Sequence, residues 1–276
     1  MEIDEGTKTS AIKSISEGLD KIFGKSGSEV GEYLADKVRF HRWRSLNKLL
    51  DKANNYASDH DIRAEFPSLK VLVPIVESAT LEDDDDLLEF WARLLVAAGD
   101  ASSATIANHR QILASISSDE AKLIESTKVF DDGRCFSRPS ANYRIENQRH
   151  IYISARQYLF QNFDPSTGLS TAIKEAIDKF VQNTNRIEGL KILHFTIGSI
   201  SPAGSQQYFY SEEYQNSYDS IENLVHLGFY RSAEVQVEHD VPGAKCTVSY
   251  VEVTPTGALL LRALGLTKER KPLEEA

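Results

Sequence analysis

The segment LEDDDDLLEFWARLLVAAG, Leu81 to Gly99, carries the clearest helix signal in the chain. Its carboxylates come first, where the positive end of a helix dipole favours negative charge. Leu87, Trp91 and Leu94 then recur at the spacing of one helix face, and a glycine follows as a stop signal. The segment therefore predicts an amphipathic helix over 87–98 with one buried stripe.

Helical spacing extends from this segment in both directions. Further helices are predicted over 29–53, 68–77, 106–116 and 118–130, with Pro74 expected to kink or interrupt the second of them. Residues 131–142 are loop-like, so we place a domain boundary there. The prediction is a mainly α N-terminal domain over 7–130, followed by a connector of uncertain structure over 131–170.

The C-terminal part has a different pattern. Two alternating runs, Phe229–Glu238 and Cys246–Val253, flank the turn-forming residues DVPG and predict a β-hairpin. Helices are predicted before it, over 218–227, and after it, over 254–264. Because helix, hairpin and helix follow one another at the end of winged-helix domains, we predict an α+β winged-helix-like domain over 171–276.

Composition limits the classes of function. The chain has 276 residues, 41% of them hydrophobic, and a formal net charge of −10, which disfavours non-specific binding to a phosphate backbone. Two cysteines, Cys135 and Cys246, are too few for a disulfide framework and suit a reducing compartment. The chain starts with an acidic, polar segment, and no apolar run approaches the ~20 residues of a membrane span. We therefore expect a cytoplasmic protein that does not enter the membrane.

Three stretches of the sequence together resemble the abortive infection alpha (Abi-alpha) family. They are GEYLADKVRFHRWRSLNKLLDKA (Gly31–Ala53), LKVLVPIVESATLEDDDDLLEFWARLLVAA (Leu69–Ala98) and the ending from Ile221 to Leu261. The first two are the more specific, because a proline, an acidic run and a Trp-Ala-x-Leu-Leu segment occur in that order. The resemblance implies a role in bacterial antiphage defence and carries over no catalytic residue.

One helix carries the candidate binding residues. Lys37, His41, Arg44 and Lys48 fall on a single stripe at about 100° per residue and are suited to contacting phosphates or an acidic partner. The alternative is that the stripe is an ordinary solvated helix face.

Two arginines of the same helix are predicted to be partly buried. Arg39 and Arg42 lie within the apolar arc of the helix, and a buried guanidinium requires a carboxylate partner. Glu77 and the acids of Glu82–Asp86 are the candidate partners. Such a pair serves either as structural bracing or as part of a functional pocket.

No pattern indicates a metal site, a cofactor or a catalytic centre. The acidic run Glu82–Asp86 lacks the spacing and glycine of an EF-hand loop and is better explained by helix capping. We therefore expect no metal and no cofactor, and catalysis lacks support from any motif.

Three functions stay open. The first is an antiphage accessory or sensor protein that acts through protein contacts. The second is a nucleic-acid-binding winged-helix regulator, which the acidic residues of the C-terminal helix and hairpin disfavour. The third is a toxin enzyme whose site is not recognisable from the sequence.

Overall fold

The computed structural model divides the chain into two compact units, Met1–Ser118 and Asp119–Ala276. It describes residues 29–62, 67–99, 102–130, 141–159, 163–164, 168–169, 173–184, 187, 189–199, 207–210, 212–238 and 244–268. The start of the predicted helical domain, residues 7–28, lies outside the described residues.

The described part of the first unit is helical. Its helices are α1 (Glu29–Asp59), α2 (Leu69–Ala79), α3 (Asp85–Ala97) and α4 (Ser103–Leu113). Among these helices, α1 packs most extensively against α3. The largest fully buried side chains of this unit are Leu49, Leu72, Ile75, Leu88, Phe90, Trp91 and Leu94. The prediction of helices in this part of the chain is confirmed, and Pro74 lies inside α2.

The acidic run starts α3 in the way its charge predicts. Asp84 is the N-cap residue, and its side chain accepts hydrogen bonds from the backbone N–H groups of Asp86 (2.8 Å) and Leu87 (3.1 Å). Ser118 Oγ donates a further, short hydrogen bond to the other oxygen of Asp84. These bonds satisfy backbone donors that a helix start leaves without an intrahelical partner.

The second unit combines helices with antiparallel sheet. Its helices are α5 (Ser118–Ser126), which begins at the unit boundary, α6 (Ala141–Ser154), α7 (Ile173–Thr184), α8 (Glu212–His226) and α9 (Pro255–Ala263). A π-helical turn, Ala155–Leu159, continues α6. Its strands are β1 (Phe163–Asp164), β2 (Gly168–Leu169), β3 (Leu190–Ser199), β4 (Gln207–Tyr210), β5 (Tyr230–Glu238) and β6 (Ala244–Val253).

The main sheet has the strand order β4-β3-β6-β5, and every neighbouring pair is antiparallel. Strands β1 and β2 form a separate two-stranded ribbon. One core of this unit packs side chains of the sheet against α6, the π-helical turn and α7. Its buried residues are Ile151, Ala155, Leu159, Phe180, Leu190, Ile192, Ala233, Val237, Cys246, Val248 and Tyr250.

The predicted helix, hairpin and helix are present as α8, β5–β6 and α9. After α8, Gly228 adopts φ +75°, and the N–H of Phe229 bonds back to the carbonyl of Leu224 at 2.9 Å. This is a left-handed helix end of the kind that glycine favours. The hairpin belongs to a sheet with two further strands, so the winged-helix interpretation stays a prediction.

The structure differs from the sequence prediction between 118 and 170. The units divide at Ser118/Asp119, before the predicted boundary at 131, because α5 bonds to the C-terminal unit. Thr127 Oγ1 lies 2.6 Å from Tyr230 OH, and Asn223 Nδ2 donates to Glu120 Oε1 at 2.9 Å. The predicted connector contains α6, whose weak amphipathic pattern hides it in the sequence. Within the described residues, no helix combines the length and apolar character needed to cross a membrane.

Candidate functional site

The predicted basic stripe on α1 faces the start of α3. His41 Nε2 lies 3.1 Å from Asp83 Oδ1, and Lys48 Nζ lies 3.0 Å from Asp85 Oδ1. Two of the four stripe residues therefore contact the acidic run of the same chain. The sequence prediction considered an external anion or solvent for these residues and missed this internal partner.

The contacts between the two helices continue one turn further along α1. Lys52 Nζ lies 3.3 Å from Glu89 Oε2, and Arg93 Nε lies 3.2 Å from the other oxygen of Glu89. The guanidinium of Arg93 also stands 5.3 Å from the ring centroid of Tyr56 on α1. Burial raises the pKa of the Tyr56 hydroxyl, and the nearby Arg93 charge partly opposes that shift. The pair Lys48–Asp85 is exposed, and because exposed ion pairs contribute about 0–1 kcal/mol each, it orients the two helices more than it stabilises them.

The other two stripe residues differ from His41 and Lys48. Arg44 is exposed and has no hydrogen-bond or ion-pair partner within the described parts of the chain. Lys37 belongs to α1, and its side chain lies outside the described residues. Arg44 is thus the described stripe residue whose charge stays available to another molecule.

The predicted buried pair takes a different form in the structure. Arg39 and Glu77 are exposed, and Arg42 is half-buried, with a buried Nε that has no hydrogen-bond partner among the described residues. The physical reason is that the apolar arc does not run the full length of α1. Leu46 and Leu49 are buried, whereas Trp43, which has the same helical spacing, is exposed.

Two large aromatic side chains of α1 therefore face solvent. Phe40 is 67% exposed and Trp43 is 60% exposed. Residues three and four apart are neighbours on a helix surface, so the exposed Arg39 adjoins Trp43 and the exposed Arg44 adjoins Phe40. We call these four residues the aromatic face. Sequence reasoning missed it because the helical spacing of Trp43 suggested the core.

A buried histidine lies in the same unit. His109 on α4 is 1% exposed, and neither ring nitrogen has a hydrogen-bond partner among the described residues. Because burial disfavours the charged imidazolium, the pKa of His109 falls to about 4. His109 is therefore neutral at physiological pH and is a structural residue of the helical core.

The second unit contains an ion pair with one buried member, Glu252, which the sequence did not predict. Arg231 on β5 donates from Nε to Glu252 Oε1 at 3.0 Å, and from Nη2 in a shorter bond. Asn147 Nδ2 on α6 donates to Glu252 Oε2 at 2.9 Å. Arg231 and Glu252 are directly opposite in the strand register, so aligning the hairpin strands would have revealed the pair.

A cavity of about 170 Å³ lies in the second unit. Its lining includes Ser126, Thr127, Gly189 and Lys191. Lys191 Nζ donates to Ser126 Oγ at 2.8 Å, next to the C-terminal end of α5, where a positive charge complements the helix dipole. The lysine thus has a structural role at that helix end.

The described residues offer neither a reactive thiol nor a cluster of metal ligands. Burial raises the pKa of the Cys246 thiol to about 12, so it stays protonated at neutral pH and is a poor nucleophile. Across the part of the chain that the structure describes, no group of three or more His, Cys, Asp or Glu side chains is placed to hold a metal ion. The aromatic face is therefore the strongest candidate site that these residues offer.

Comparison with known proteins supplies a family. The family model described as abortive infection alpha matches residues 41–264, which is most of the chain. No curated protein and no solved structure matches the sequence. The matched region includes Trp43, the acidic run and the C-terminal hairpin. The chain belongs to the abortive infection alpha family.

Proposed function

We propose that this protein is an accessory or sensor component of an abortive infection response and acts through protein contacts at the aromatic face. The family supports an abortive-infection-type function. The exposure of Phe40 and Trp43 on one side of α1 is the observation that carries the protein-contact role. Aromatic residues and arginine are enriched in the central parts of protein interfaces, whereas single exposed aliphatic residues are ordinary.

The size of the exposed aromatic surface suits an interface anchor. A buried aromatic side chain removes roughly 150–250 Å² from water, and about two-thirds of that surface is still exposed at Phe40 and Trp43. At about 25 cal/mol per Å², covering both rings is worth about 5–8 kcal/mol. A stable interface buries roughly 1,200–2,000 Å² in total, so the two rings supply the centre and neighbouring residues supply the rim.

The charge of the second unit supports a protein-contact role over DNA binding. Helix α8, with the sequence EEYQNSYDSIENLVH, has no lysine and no arginine and carries four carboxylates. A DNA reader places basic residues on the corresponding helix. We propose that the winged-helix-like segment packs or contacts protein, and that the protein works in the cytoplasm, where the thiol of Cys246 stays reduced.

A phage challenge tests the proposal. Cells that express the double variant Phe40→Ser/Trp43→Ser should lose protection against phage, because the anchor residues of the contact are gone. Both side chains are exposed, so each change should alter the free energy of unfolding by about 0.5 kcal/mol or less.

The matched control is Leu69→Ser, because Leu69 is 62% exposed and belongs to α2, not to the aromatic face on α1. This variant should protect as the original chain does. Full protection by the Phe40→Ser/Trp43→Ser variant would contradict the proposed role of the face.

A further inference from the structure

The first unit carries a second exposed surface whose chemistry complements the aromatic face. We propose that the aromatic face of one copy binds the segment Leu81–Asp86 of a second copy, so that copies of this chain associate head to tail. We call Leu81–Asp86 the acidic turn. The inference rests on the proposed function of the aromatic face and names its partner.

The acidic turn combines an apolar side chain with exposed carboxylates. Leu81 is 60% exposed, and the side chains of Asp83 and Asp85 are 83% and 67% exposed. Asp86 is exposed, and its carboxylate has no ion-pair partner in the described ranges. The turn therefore offers a leucine for the aromatic rings and a free carboxylate for an arginine.

The backbone of the acidic turn is held in place before any partner arrives. The N–H of Leu81 bonds to the carbonyl of Ser78 at 3.1 Å, and Glu82 Oε1 accepts from the N–H groups of Asp83 (3.1 Å) and Asp84 (3.2 Å). The Asp84 cap then fixes the start of α3. A preformed segment loses little conformational freedom on binding, which favours association.

One charged residue on each surface is free to pair with the other surface. Asp83 and Asp85 contact His41 and Lys48 within one copy, which leaves Asp86 as the turn carboxylate available to a neighbour. On the aromatic face, Arg44 is likewise exposed and unpaired within the described chain. A guanidinium and a carboxylate pair through two parallel hydrogen bonds, so contact between Arg44 and Asp86 also orients the two surfaces.

The aromatic rings of α1 and the acidic turn of the same copy do not face each other, which favours contact between copies. His41, which contacts the acidic turn, is separated from Phe40 by about 100° and from Trp43 by about 160° around the helix axis. The turn therefore lies on a different side of α1 from the aromatic rings of its own copy. Because the contact joins unlike patches, the aromatic face of one copy and the acidic turn of the next, it is heterologous and propagates from copy to copy.

Sedimentation velocity on the full-length chain tests the proposal. The original chain should associate as its concentration rises to about 100 µM, a range in which weak specific contacts become populated. Asp86→Arg and Arg44→Glu should each raise the dissociation constant at least about tenfold, because each places like charges opposite one another. Combining both changes in one chain should restore association, because the charges are exchanged. Glu77→Arg is the matched control, because it reverses an exposed carboxylate outside the turn and should leave association unchanged.

A mixing experiment tests the head-to-tail arrangement. The Phe40→Ser/Trp43→Ser variant keeps an intact turn, and Leu81→Ser keeps an intact aromatic face. Each variant alone should be monomeric, and their mixture should form a one-to-one dimer and nothing larger, because one surface of each copy is lost.

Two results would overturn the inference. One is an original chain that stays monomeric at every concentration, and the other is a Leu81→Ser or Asp86→Arg variant that associates as the original does. If the chain is monomeric and Phe40→Ser/Trp43→Ser still abolishes phage protection, self-association is wrong and the proposed contact with a different protein stands. If the chain associates and that variant still protects, the proposed function of the face is wrong.

Discussion

His109 makes the stability of the helical unit sensitive to acid. The unfolded chain has an ordinary histidine with a pKa near 6.5, whereas burial lowers the pKa of His109 to about 4 in the folded chain. Between these two values the unfolded state binds more protons than the folded state. Stability is therefore unaffected by His109 above about pH 6.5, falls as the pH drops towards about 4, and shows no further loss from this residue below that.

The size of the effect follows from the difference between the two pKa values. A difference of about 2.5 units, at about 1.36 kcal/mol per unit, gives a loss of about 3 kcal/mol between pH 7 and pH 4. Replacing His109 with leucine should remove this loss. Because neither ring nitrogen has a hydrogen-bond partner among the described residues, the leucine variant should be at least as stable at pH 7.

Urea unfolding followed by tryptophan fluorescence measures the effect in the full chain. The sequence has two tryptophans, Trp43 and Trp91, and both belong to the first unit, so the signal reports on that unit alone. His60→Gln is the control, since it removes an exposed histidine of the same unit. Equal pH dependence in the original chain and in His109→Leu, from pH 7 to pH 4, would refute the reasoning.

Two further predictions concern the second unit, and a third concerns DNA binding by the full chain. Glu252→Ala leaves the half-buried Arg231 guanidinium and the buried Asn147 Nδ2 without their carboxylate partner, and should lower the free energy of unfolding by about 2 kcal/mol. Glu252→Gln should cost less, and calorimetry separates the two. Gly257→Ala places a Cβ 2.4 Å from the carbonyl oxygen of Phe229 and should lower Tm more than Gly228→Ala does. At Gly228 the added Cβ meets open space, and the positive φ alone costs about 1 kcal/mol. The full chain should bind random duplex DNA with a dissociation constant above about 1 µM at low salt. Tighter binding with a steep salt dependence would favour the nucleic-acid-binding regulator.

The elements with strong periodicity were predictable from the sequence. The acidic start and apolar stripe of α3, the hairpin β5–β6 and the proline-started α9 each depend on residues close together in the chain. Helix α6 was not predictable, because its apolar residues do not fall on a single face. It packs against the π-helical turn, α7 and β5, and β5 is distant in the sequence.

The candidate site was only partly predictable for a related reason. Helical spacing places Lys37, His41, Arg44 and Lys48 on one stripe, but the partners Asp83 and Asp85 come from a helix start about 40 residues later. Spacing also cannot show where a neighbouring helix ends. Trp43 has the period of a core residue and is exposed, while Leu46 and Leu49 further along α1 are buried.

The ion pairs between α1 and α3 have a consequence for how related sequences can change. Lys48 with Asp85 and Lys52 with Glu89 both place the cation on α1 and the carboxylate on α3. A substitution that reverses one of these charges juxtaposes like charges until the opposite position also changes. Substitutions at the two members of each pair should therefore occur together among relatives, and this covariation would mark the helix register without any structure.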